Sequence, residues 1–186
     1  MPRGFLPKSQ SRAQKRTFGA QTAVSGIRRE FIGSDRIRLH LTALPISITS
    51  ALKYGSQKLL DFPAGRIQIV GGLASLAFAV TTARAGTINA DAAMDWSIGS
   101  AAASSVTLAT TMVDIIAKQD KTLDGADAAY TTAQAAAVTA AVFDGTGTAL
   151  DAFLNIGFPT ATDVDGDGTV AVTGTIDLVY KNFGDV

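Results

Sequence analysis

From residue 36 the chain alternates between apolar and polar positions. Ile37, Leu39 and Leu41 fall on one side of an extended chain, and Arg36, Arg38 and His40 on the other. The alternation resumes after Pro45 with Ile46 and Ile48. A period of two predicts a half-buried strand, and a proline within it marks a bulge or an edge position. The stretch KLLDFPAGRIQIVGG (58–72) reads as a strand, a Pro-Ala-Gly turn and a second strand. Residues 73–82, 94–100 and 104–116 follow as short strand candidates separated by Gly, Asn and Asp. Near the C-terminus Ala152, Leu154, Ile156 and Phe158 share one face. Val170, Val172, Gly174, Ile176, Leu178 and Tyr180 alternate with Ala171, Thr173, Thr175, Asp177 and Val179. These two runs, with a loop around 160–168, are expected to form a large antiparallel hairpin.

Two stretches are ambiguous by pattern alone. Residues 67–83 form an uncharged run of seventeen between Arg66 and Arg84. A membrane helix needs about twenty predominantly apolar residues, and this run holds Gln68, Gly71, Gly72, Ser75, Thr81 and Thr82. Two buried strands are expected there, and no segment is expected to span a membrane. The Ala-rich stretch 126–143 leaves a short helix and an extended loop both open. Several short strands with turn signals between them predict an all-β fold, an antiparallel β-sandwich that is jelly-roll-like, with an extended N-terminal arm.

Composition supports this reading. Of 186 residues, 47% are hydrophobic and 17% charged, and Glu30 is the single glutamate beside fifteen aspartates. Aspartate favours turns, where its short side chain bonds nearby backbone, whereas glutamate favours helix faces. The absence of cysteine excludes disulfides and thiol catalysis.

The formal charge of zero conceals a division. Residues 1–38 hold nine Lys and Arg against Glu30 and Asp35, and residues 39–186 hold seven against fourteen aspartates. This places a basic arm, 1–35, on an acidic body, 36–186. The arm mixes Gly, Ser, Gln and Pro with isolated aromatics and lacks both a signal-peptide apolar core and the period of a transit peptide. Its loosely spaced cations lack the aromatic platform that would favour nucleic acid. A chain without its own core gains order only against a surface that repays the entropy lost. A flexible solvated tail is the alternative reading of the arm, and an acidic protein surface is the expected partner.

Candidate chemistry is sparse. Asp163, Asp165, Asp167 and Gly168 match the first half of a calcium loop, but position 12, which should bring a bidentate carboxylate, is Gly174. A turn between strands is the expected role, with calcium at Asp163, Asp165 and Asp167 as the weaker alternative. His40 has no second His or Cys with which to build a metal or catalytic cluster. Trp96 is expected in the core or as an interface anchor. The Gly-rich pieces lack the glycine pattern and lysine of nucleotide-binding loops. Any two of the aspartates can meet in space, but their spacing singles out no pair. No cofactor and no enzymatic activity are expected.

The segment LDAFLNIGFPTATDVDGDGTVAVTGTIDLVYKNFGD resembles the end of a group of tailed-phage head decoration, or cement, proteins. The likeness lies in an LN-type strand ending in Pro, an Asp-Gly loop, a T-x-x-V-x-G-T-I-x-L-x-Y strand and a terminal N-x-G-D. MDWSIGSAAA is similar to their middle strands. The likeness covers 65–186 loosely and the last thirty-five residues more closely, and it does not extend to the arm. It implies a jelly-roll-like virion protein on the outer surface of a capsid, binding the major capsid protein and neighbouring copies of itself as a dimer or trimer. On that reading Arg3, Phe5, Lys8, Arg12, Lys15, Arg16, Phe18, Arg28, Arg29 and Phe31 make the capsid contact. The alternatives are a neck or tail component, or a calcium-dependent surface sandwich that binds glycan or a cell-surface ligand.

Overall fold

The structure, a computed structural model, describes residues 25–32, 35–80, 87–89, 91–123, 132–135 and 142–184. Among these, ten strands form two antiparallel sheets. Sheet A runs β1 (Ile27–Phe31), β2 (Arg36–Ile48), β10 (Gly168–Asn182) and β4 (Gly65–Val80). The short strands β7 (Thr132–Ala135) and β8 (Val142–Gly145) pair with separate halves of β4. Sheet B runs β3 (Tyr54–Asp61), β9 (Asp151–Gly157), β5 (Ala93–Gly99) and β6 (Ile116–Thr122). The pairings nest: β2 with β10, β3 with β9, β4 with β7 and β8, and β5 with β6. A long double hairpin rolled into two sheets in this way is a jelly roll. β1 is added beside β2.

The core follows from the alternation. On β2, Ile37, Leu39, Leu41, Leu44, Ile46 and Ile48 are all buried. A strict period of two would turn Leu44 outward, but two residues of β2, Thr42 and Ala43, stand where β10 offers one. This bulge restores the inward face. Ala43 takes a left-handed φ of 46° there, and its amide donates to Thr173 Oγ1 at 3.1 Å. Across the bulge Gly174 has φ 145°, and a Cβ on it would run into the Ser75 carbonyl of β4. Only glycine meets both demands. Pro45 lies beyond the reach of β1, which pairs only with residues 37–41, so its missing N–H costs no bond to that strand.

Trp96 is fully buried and meets Phe78 across the sandwich, with ring centroids 5.8 Å apart. Phe62 and Tyr180 meet edge to face at 5.3 Å. Each fully buried large side chain contributes about 1.5–3 kcal/mol, so this layer outweighs any single surface ion pair.

Four expectations need correction. β9 and β10 are not a hairpin: β9 lies between β3 and β5 in sheet B, and β10 between β2 and β4 in sheet A. Period two shows which residues share a face but not which strand lies alongside. Residues 67–80 belong to one strand, not two. β4 runs through the glycine pair, with Gly72 turned towards Leu178 and Ile116 and Gly71 facing open space.

Residues 104–115 are not a strand. They lie in a loop with a 3-10 turn at Thr110–Met112, which buries Leu108 and Met112. Finally, the sheet begins at Ile27, so the end of the expected arm is a strand. Of the Ala-rich stretch, only β7 and the start of β8 are described, and both are extended.

Candidate interaction surface

Of the ten residues expected at a capsid contact, Arg3, Phe5, Lys8, Arg12, Lys15, Arg16 and Phe18 lie outside the described residues. The other three stand on β1. Arg28 pairs with His40 across β1 and β2 and is exposed on the outer face. Arg29 pairs with Leu39 and so turns inward. Its Nε and Nη2 donate to the Leu59 carbonyl at 3.1 and 2.7 Å, tying the rim of sheet A to β3 of sheet B. Arg29 thus ties the two sheets through its guanidinium. Phe31 contributes its backbone to β1, while its side chain is outside the described set.

The outer face of sheet A carries a polar lattice. Arg38 grips Asp177 with two bonds of 2.9 Å, and Arg36 reaches the same carboxylate at 3.2 Å. The Arg38 hydrogen bond, against an opposing effect of partial burial, holds the Asp177 carboxyl below the ordinary range. His40 lies on this face beside the two arginines, as its strand position predicts, with Nε2 3.1 Å from Glu30.

The three aspartates separate. Asp163 Oδ2 accepts the Ala93 amide at 2.8 Å, capping the start of β5. Asp167 Oδ1 accepts the Ser50 amide at 2.8 Å in the turn after β2. The Asp165 amide donates to the Thr87 carbonyl at 2.7 Å. The segment is a crossover from β9 in one sheet to β10 in the other, tied at each end. Among the described residues no three acidic or histidine side chains converge as metal ligands.

Sheet B holds two carboxylate pairs that linear spacing conceals. Asp61 stands opposite Asp151, and Asp95 opposite Asp120. Like charges directly across a sheet repel, and each pair has a lysine bridging it. Lys118 Nζ lies 2.9 Å from Asp95 and 2.8 Å from Asp120. Lys58 bonds Asp61 and reaches Asp151 at 2.9 Å.

Burial raises the Asp95 carboxyl, against the pull of Lys118, while the lysine's hydrogen bond lowers exposed Asp120. In the other pair burial raises Asp151, and at Asp61 hydrogen bonds from Asp151 and Lys58 outweigh burial and lower it. Each pair thus splits into a carboxyl that binds its proton more tightly and one that binds it less. Asp95, Lys118 and Asp120 border a hollow of about 460 Å³ with Thr107 and Pro159. The ammonium is shared between the two carboxylates, so the cluster's strongest interactions are internal.

Part of the outer side of sheet B, at β5 and β9, is covered by the loop that follows β5. The buried Asn155 Nδ2 donates to the carbonyls of Ala101 at 3.0 Å and Met112 at 2.9 Å, and Ser97 Oγ donates to Met112 at 2.7 Å. Gly157 admits the loop, since a Cβ there would collide with the Val106 carbonyl.

Comparison of the chain with family models and with curated proteins finds no match.

Proposed function

We propose that the chain is a non-catalytic virion protein that decorates the outside of a phage capsid and cements it, its basic arm strapping neighbouring capsid subunits. The observation that carries this reading is the division of charge along the fold. The first 24 residues hold five basic groups and no acidic one, leaving eleven basic against sixteen acidic residues in the remainder. Among the described residues the nested strand pairing of the jelly roll begins at Ile27. An arm that binds only the assembled shell stabilises it by mass action, and symmetry-related copies strengthen attachment through multivalency. The major capsid protein and neighbouring copies of the chain are the partners in this reading, and the outer capsid surface is its place. The resemblance of 150–185 to decoration proteins supports the same assignment. The decoration reading is favoured over the calcium-dependent alternative because Asp163 and Asp167 accept backbone amides from separate segments.

The test is co-sedimentation with mature heads lacking this protein, comparing the full chain with one missing residues 1–24. The cut belongs at 24, since removal of 1–35 would also delete β1. Pelleting of the full chain alone supports the reading. Failure of both to pellet overturns it.

A further inference from the structure

We infer that the outer face of sheet A is the surface that lies against an acidic protein partner, with sheet B turned away. This rests on the decoration reading and adds which side of the jelly roll meets the shell. The face carries an apolar strip. Val70 and Leu73 on β4 are 50% and 48% exposed, and Val179 on β10 is 36% exposed. Val179 is paired with Gly71, and Leu73 with Asp177. Gly71 adds no side chain, and a Cβ there would meet nothing within 4 Å, so the strip is open. It continues to exposed Val142 and Phe183, which with Arg66 and Asp144 border a hollow of about 600 Å³.

Around the strip the charge is close to balanced, five cations against four carboxylates, whereas the rest of the described body is acidic. The strands of this face present Arg28, Arg36, Arg38, Arg66 and Lys181 against Glu30, Asp144 and Asp177, with Asp35 at the rim. Sheet B and its surrounding loops hold, among the described residues, four lysines against nine aspartates. β1, the first described strand, lies at the edge of the same sheet. A body that is acidic overall thus sets exposed Val70, Leu73 and Val179 beside Arg28, Arg36, Arg38 and Arg66 on one side. Apolar contact with Arg enrichment is the make-up of a protein interface core, and this side, the less acidic of the two, favours an acidic counterpart. Nucleic acid fits less well, because aliphatic residues offer bases no stacking surface and Asp177 lies at the centre of the lattice.

The test measures binding to the same heads for the unaltered full chain, for Val70→Glu/Leu73→Glu, and for Leu52→Glu, which alters an exposed side chain in the turn after β2. The face variant is expected to bind about tenfold weaker or worse while Leu52→Glu matches the unaltered chain. Amine labelling of the unaltered chain, alone and on heads, gives a second readout that needs no variant: Lys181 labels less on heads than in the free chain, while the labelling of Lys53 is the same in both. Retained affinity in the face variant, or undiminished labelling of Lys181 on heads, overturns the inference and leaves the decoration reading standing. Failure of the unaltered chain to bind heads overturns both. Binding to a DNA duplex that the face variant abolishes, without binding to heads, also overturns it in favour of nucleic acid.

Discussion

At the residue scale, Gly174 is the position least able to change. A side chain there meets both an unfavourable positive φ and the Ser75 carbonyl. Gly174→Ala is expected to lower unfolding stability by about 3 kcal/mol, measured by chemical denaturation. Asp177 makes a different prediction. Because the folded state holds its carboxyl below the ordinary range, its contribution is complete above the unfolded pKa of about 3.9 and is lost as pH falls through the lower folded value. Asp177→Asn should therefore cost about 1–2 kcal/mol at pH 7, with the difference from the unaltered chain shrinking below about pH 4. Lys118 gives the same direction for a different reason. Lys118→Met leaves Asp95 and Asp120 facing each other without a cation, a penalty present when both are ionised. Burial already raises Asp95, so the penalty eases as acidification protonates it. The variant should lose about 1–2 kcal/mol at pH 7 and less at pH 4.5.

At the scale of elements, the loop between β5 and β6 is tied to sheet B by the side chains of Asn155 and Ser97. Asn155→Leu removes the donor to two buried carbonyls while keeping apolar volume. The expected cost is about 2 kcal/mol, with faster amide exchange at Ala101 and Met112, whose amides bond within the loop. Unchanged exchange there would show that the loop holds without the Asn155 bonds. This element also shows where the sequence stops being legible. β2 could be read directly, because one face is buried and every apolar residue marks it. The 104–115 loop buries apolar residues as well, yet against the outer side of a sheet, where no strand period governs them. β9 and β10 were each visible as strands, but their placement in opposite sheets depends on pairing with β3, β5, β2 and β4, all remote in sequence. The carboxylate pairs were hidden for the same reason, since each is defined by a strand register.

At the scale of the whole molecule, the charge division was plain in the sequence and its geometry was not. Linear counting put the boundary near residue 36, while the sheet begins at Ile27 and converts Arg29 into a tie between sheets. Nor could counting show that Arg36 and Arg38 share a face with Val179 and Leu73, because these residues meet only through β10. The measurement that tests the central claim most directly is the temperature at which heads lacking this protein release their genome, with and without saturating full-length chain. A cement that binds only the assembled shell must raise that temperature, in proportion to occupancy, up to saturation. Heads that carry the protein and open at an unchanged temperature would contradict the account.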